Sequence, residues 1–286
     1  MKKFKIFCVG LLCVATIALF GGCTIGVGTN FRDLSHVIKE TYPTVVSIEA
    51  TTEGGRTSSG SGVIIYATDE FSLVATNAHV IGEWNKSTKT FVKSKNFRII
   101  NWSYELYYGE YGNTESKYIV DSLGESNIIY ANINEDLAII KYTPRMSSGA
   151  RGKSSTLRWE EDRALRVGEP VAALGNSVGR YQRASQGIVS QIFREFSGTD
   201  TDGVTKKFDW GFMHDATAIQ GNSGGPVIDA EGYVIGLTTL VVTMCEPECT
   251  SKNHVCYHPA LGFSIAISSR HIYSVLDANR SAWGIA

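Results

Sequence analysis

The sequence predicts an all-β protein, a sandwich or a barrel, on three observations. Short β-branched or aromatic runs recur along nearly the whole chain, and clusters of Gly, Ser, Asn and Asp separate them. Helical patterning is confined to two short stretches near the ends. The composition suits a folded core: 43% of the 286 residues are hydrophobic and 19% charged, which points to neither disorder nor a fibrous repeat. That length permits one large all-β domain or two smaller ones. The formal net charge of −1 offers no basic field for nucleic acid.

The amino terminus is a processing signal before it is structure. Met1 to Lys5 carries three lysines, and an uncharged, mostly apolar run follows from Ile6 to Phe20. As a helix that run spans roughly 22 Å, short of the ~30 Å hydrocarbon core of a bilayer. A basic start, a short apolar stretch and small residues describe a secretory signal better than a membrane span. Removing the three lysines with it leaves −1 − 3 = −4.

A helical turn over Phe31–Thr41 is expected next, stopped by Pro43. Strands are expected at Val45–Ala50, Gly62–Tyr66, Ser72–Thr76, Phe97–Trp102, Leu137–Tyr142, Pro170–Leu174, Gly187–Ile192, Gly225–Asp229, Tyr233–Val242 and Gly262–Ile267. A last helix is expected over Ser269–Ala278. The aromatic-rich stretch from Trp84 to Tyr130 reads as longer strands with decorated turns rather than a binding platform. The tract Arg194–Lys207 is either a mobile loop or a surface hairpin.

Three segments each place one member of a nucleophilic triad. Gly221-Asn222-Ser223-Gly224-Gly225-Pro226 sets a serine between glycines just before a strand. Attack on a carbonyl needs an exposed hydroxyl on a tight turn and backbone N–H groups aimed at the developing oxyanion. Gly221 and Ser223 are the natural donors of those N–H groups. Serine needs a base at neutral pH, and Val74-Ala75-Thr76-Asn77-Ala78-His79-Val80 offers one in His79, straight after an apolar strand. The base needs an acid to fix its tautomer, and Asp136 stands at the threshold of the strand Leu137–Ile140. Alternation along that strand favours Asp136 over Glu135 as the inward-pointing acid.

These motifs resemble the HtrA/DegP-like branch of the trypsin-like serine proteases. The resemblance covers most of residues 41–275 and rests on Ser61–Ile65, Thr76–Ile81, Asp136–Ile140, Ala173–Gly179, Gln186–Ser190 and Asp215–Pro226. It implies the trypsin-like (chymotrypsin) fold, two six-stranded β-barrels with a C-terminal helix and the active site between them. It also implies endoproteolysis of unfolded or damaged proteins without cofactor, metal or ATP; a homo-oligomer is compatible with it. The organisation that follows is a lipoprotein signal peptide over 1–22 and a tether with its helical turn over 23–40. An N-terminal barrel over 41–150 and a C-terminal barrel with the terminal helix over 151–286 complete it. Relatives commonly carry PDZ domains after the protease, and with roughly twenty residues after the last family-like strand none is expected here. In this fold the primary pocket has its floor near Thr217 and Ala218 and its wall near Thr238 to Leu240. No acid stands at that floor and no histidine in Gly236–Val242, which favours small or medium aliphatic residues over Lys, Arg or Glu.

Leu19-Phe20-Gly21-Gly22-Cys23 resembles a bacterial lipobox, with Phe20 where Leu is usual. It implies lipidation of Cys23 and an exported chain held on a membrane of the bacterial cell envelope. Ordinary cleavage or an uncleaved anchor are the alternatives. Cys245, Cys249, His254, Cys256 and His258 fall close together. In an oxidising compartment a disulfide within this group is the favoured reading, with metal binding or unpaired thiols as the others. Two rival functions remain: a catalytically silent peptide-binding protein of the same fold, and a lipid-anchored adhesive protein supported only by the aromatic stretch.

Overall fold

Alternation decides which way each strand of the first half faces. The computed structural model describes residues 33–52, 55, 57–102, 118–144, 154–157, 164–177, 181–200, 203–245 and 257–285. Helix α1 (Ser35–Thr41) ends in a 3-10 turn through Pro43, and β1 (Val45–Thr51) follows. Val46, Ile48 and Ala50 of β1 enter one core and Val45 enters another, and all four are fully buried. β2 (Thr57–Ala67), β3 (Ser72–Thr76), β4 (Gly82–Asn85), β5 (Thr90–Lys93), β6 (Asn96–Trp102), β7 (Tyr118–Gly124), β8 (Ile128–Asn132) and β9 (Leu137–Tyr142) complete the first half. Seven of these strands form one antiparallel sheet in the order β7-β6-β1-β2-β3-β9-β8, and β4 and β5 pair separately. The sheet curls around its core, since Phe97 and Ile99 near one edge and Ile128 at the other belong to the same buried cluster.

The second half closes completely. β10 (Pro170–Ser177), β11 (Tyr181–Thr199), β12 (Thr205–His214), β13 (Pro226–Asp229), β14 (Val234–Cys245) and β15 (Tyr257–Ser268) form a six-stranded barrel in the order β10-β11-β12-β15-β14-β13. Closure pairs β10 with both β11 and β13, so the barrel has no terminal strand. Helix α2 (Ser269–Trp283) is capped by the Ser268 hydroxyl, which accepts from Arg270 N–H at 3.0 Å, and it ends at Gly284 with φ 73°. That helix runs five residues beyond its expected end and buries Ile272, Val275, Leu276 and Trp283 against the core.

The largest buried cluster joins the halves. Val45, Val63, Leu73, Ala75, Leu137 and Ile139 from the first sheet share it with Ala172, Leu174, Ile228, Val234 and Leu237 from the barrel. Each fully buried Leu or Ile there stabilises the fold by about 1.5–3 kcal/mol relative to exposure. The tract Arg194–Lys207 is a hairpin, β11 running into β12 across Asp200–Val204. Its tip is not a free surface element, because Lys206 and Phe208 are buried.

Candidate active site

His79 sits on a 3-10 turn, Ala78–Val80, reached directly from the fully buried strand β3. Its side chain keeps 36% of its exposure, while that of Asp136 keeps none. Asp136 occupies the left-handed region at φ 53°, an uncommon conformation for a non-glycine residue that ends the turn before β9. There its carboxylate meets the imidazole, with Nδ1 of His79 lying 2.8 Å from Oδ2 and 3.0 Å from Oδ1. The His79 backbone N–H also donates to Oδ1 at 3.2 Å. The Asp136 carbonyl accepts from Asn77 Nδ2 at 2.9 Å and from Ala78 N–H at 3.2 Å, so the two turns are stitched together twice more.

Two further side chains reach that carboxylate from the barrel. Thr239 donates its hydroxyl to Oδ2, and the Lys206 ammonium lies 3.2 Å from Oδ1. A β-bulge explains Thr239: Thr238 and Leu240 face the consecutive residues Ala266 and Ile265, so Thr239 is the extra residue of β14. Such an insertion re-aims one side chain out of the pleat. Burial opposes the charge on Asp136 most strongly, but His79, Lys206 and Thr239 together hold its carboxyl below the usual carboxylate range. Neighbouring Glu135 turns elsewhere, to Tyr130 and to His271 of α2 at 3.5 Å. The His271 contact is the largest of the interactions that keep Glu135 below its ordinary range.

Ser223 is half-buried in the turn leading to β13. Its carbonyl accepts from Ser61 N–H at 2.8 Å. Gly224, at φ 80°, presses this turn against the residues before His79: a Cβ there would lie 2.3 Å from both Thr76 Oγ1 and Ser61 O, and 3.0 Å from Asn77 N. Only glycine fits both the angle and the space. The His79 ring makes its hydrogen bonds to Asp136, and none from the Ser223 hydroxyl is among them. Such bonds are commonly long in unliganded sites and tighten on substrate. The preceding turn, Ile219–Asn222, closes with Asn222 N–H donating to Ile219 O at 3.0 Å, and Gly221 takes φ 97°. A positive φ at the third position is the mark of a type II turn. Ser61 braces it, donating to Gly221 O and accepting from Asn176 N–H, both at 2.7 Å.

Ala218 and Thr238 are buried, Leu240 is half-buried and Thr217 is exposed, with its carbonyl accepting from the Ser185 hydroxyl. Thr238 Oγ1 has no protein partner. The cleft beside His79 has a volume of about 840 Å³ and is lined by Trp84, Ile133, Lys206 and Gln220 among others. Cys23, Cys249 and Cys256 lie outside the described residues, as do Tyr104, Tyr107, Tyr108 and Tyr111, and only the backbone of Cys245 is described. Sequence reasoning did not name Ser61, Lys206 or the role of Thr239. Ser61 stood within a quoted motif, but nothing local marks the other two.

The trypsin-like peptidase domain family matches residues 60–237. Curated relatives include serine protease Do-like HtrB of Bacillus subtilis (strain 168), 29% identical over 87% of this chain and 47% of its own length. Serine protease HtrA-like of Staphylococcus haemolyticus is 24% identical over 82% of this chain and 30% of its own length. The chain thus spans less than half the length of these two relatives. Among solved structures, the HtrA-type protease AlgW with tripeptide superposes with a TM-score of 0.57 at 21% identity, covering 86% of this chain and 63% of that one. The Rv3671c protease from M. tuberculosis in its active form gives 0.56 at 20%, covering 84% and 82%. At these identities the likeness is one of fold.

Proposed function

This chain belongs to the trypsin-like peptidase domain family, and from that premise we propose that it is an exported serine endopeptidase acting through His79, Asp136 and Ser223. The observation that carries the reading is the imidazole held at 2.8 Å by a carboxylate with no solvent exposure. A carboxylate so placed orients the imidazole and stabilises the positive charge that forms on the ring as it takes a proton.

The steps follow from the positions of the groups. Ser223 Oγ attacks the scissile carbonyl while His79 Nε2 removes its proton, and Asp136 stabilises the resulting imidazolium. The carbonyl π-electrons move onto oxygen, and the Gly221 and Ser223 N–H groups receive that charge. His79 then protonates the departing amine, the C–N bond breaks and an acyl-enzyme remains. Water, deprotonated by His79, cleaves the ester and restores the hydroxyl. We assign the substrate as unfolded or damaged exported protein, cut after small or medium aliphatic residues accepted near Thr217, Ala218, Thr238 and Leu240. The chain acts from a membrane through a lipid on Cys23.

The test is cleavage of casein by the purified chain beside Ser223→Ala, with cut sites read by mass spectrometry. Cutting by the parent alone, after residues such as Ala, Val or Leu, is expected. Cuts dominated by Arg or Glu would refute the pocket assignment. No cutting by either protein, with no fluorophosphonate label on Ser223, would make the chain a silent peptide-binding relative.

A further inference from the structure

Lysine is almost never fully buried unless it is paired. Lys206 is 1% exposed, and what it is paired with is the acid of the triad. Its ammonium lies 3.2 Å from Asp136 Oδ1, donates to Ile133 O at 3.0 Å and sits 3.6 Å from Asp200 Oδ2. The next residue repeats the attachment through the backbone, Lys207 N–H donating to Asn134 O at 2.6 Å. The β11–β12 hairpin, a part of the second barrel, is thereby fastened to Ile133 and Asn134, which lead the first sheet toward Asp136. Asp200 ties the two strands together beside the tip: its Oδ1 accepts from Val204 N–H at 2.9 Å and its carbonyl accepts from Gly203 N–H at 3.0 Å.

We infer that Lys206 is a positioning residue of the triad: its buried ammonium fixes the Asp136 carboxylate against His79 and ties that alignment to the hairpin tip. The inference rests on the peptidase reading above. Two consequences follow from charge. With Lys206 in place, the charge of Asp136 is partly neutralised, and removing the ammonium leaves the whole carboxylate charge facing the imidazole. Asp200 works the other way, because its carboxylate offsets part of the lysine charge. The other charged or titratable groups around the pair are Glu135 with Tyr130 and His271, and Glu83 and Lys86 across the cleft. None of them bridges the hairpin to Asp136 as Lys206 does.

The experiment is an NMR titration of the His79 ring in the full chain, with fluorophosphonate labelling of Ser223 followed over the same pH range. Lys206→Met keeps the length of the stem and removes the charge. Its His79 midpoint is expected to move up by about one pH unit, as two charges a few ångströms apart at intermediate dielectric require. The plateau labelling rate should fall about ten-fold, the loss of one charged hydrogen bond. Asp200→Asn keeps an acceptor for Val204 and should move the midpoint down. If Lys206→Met does not fold, the Asp200→Asn midpoint decides, and an unmoved one overturns the inference. An unmoved midpoint in a folded Lys206→Met overturns it directly. Absence of labelling in the parent, with the midpoints shifted as stated, would instead remove the peptidase reading and leave the coupling between Lys206 and the His79–Asp136 pair in place.

Discussion

His214 makes the stability of the second barrel depend on pH in a calculable way. It is fully buried on β12 beside Phe212 and Ala216, and neither ring nitrogen reaches hydrogen-bond geometry with a protein partner. Burial pushes its pKa down to about 4; the Ala216 backbone and Asp215 favour the proton but do not offset that cost. The unfolded chain binds the proton at about 6.5. Between those values the unfolded state carries more protons than the native one, so stability rises with pH across the window and is lost as pH falls through it. The full difference is about 2.5 units, on the order of 3 kcal/mol. Between pH 7 and pH 5 the same two constants give a little under ~2 kcal/mol.

The assay is urea denaturation of the Ser223→Ala chain, chosen so that no autolysis intrudes, at pH 7, 6 and 5. With a slope of about 2–3 kcal/mol per molar urea, the midpoint should fall by roughly 0.6–0.9 M between pH 7 and pH 5. Adding His214→Leu fills a similar volume without a titratable group and should remove most of that fall. Glu135 and Asp136 are held low and lose their contributions only below the ordinary carboxylate range, outside this window. An equal pH slope with and without His214 would refute the reasoning, because another group would then carry the proton uptake.

Thr239→Val deletes the hydroxyl that the bulge in β14 aims at Asp136 and should lower kcat about ten-fold with little change in KM, the loss of one hydrogen bond to a charged group; a rise in KM at constant kcat would place Thr239 in substrate binding instead. Cys23→Ser should move the chain from the membrane fraction to the soluble one and abolish labelling by a radioactive fatty acid; membrane retention with no lipid on the parent would mean that another segment holds it.

The sequence disclosed what is written locally. His79, Asp136 and Ser223 each lie in a short motif whose neighbours shape the turn, so residue types at adjacent positions carry the information. The expected strands Ser72–Thr76 and Leu137–Tyr142 coincide with β3 and β9 because both are continuous buried runs. Strand β12 escaped notice for a physical reason. Its buried positions include Lys206, Phe208, Phe212 and His214, and a lysine and a histidine at inward positions break the apolar alternation that marks a strand. The same Lys206 that hides the strand also reaches Asp136, the acid of the proposed triad. Thr239 was hidden differently, since a bulge depends on how β14 pairs with a strand some twenty residues later, and no local spacing reveals it.

Asp136 is the point at which the two halves of the molecule become one site. From the first half it receives His79 and Asn77, and from the barrel it receives Thr239 and Lys206. Removing either set would leave a buried carboxylate short of hydrogen bonds, which is costly in a dry interior. The acid thus draws its partners from the same two halves that share the core of Val45, Val63, Leu137, Leu174, Ile228 and Leu237. The Ser223 turn obeys the same rule, since Ser61 of the first sheet holds both Gly221 and Ser223 by hydrogen bonds. A perturbation that loosens the contact between the sheet and the barrel should thus silence the triad before it unfolds either half.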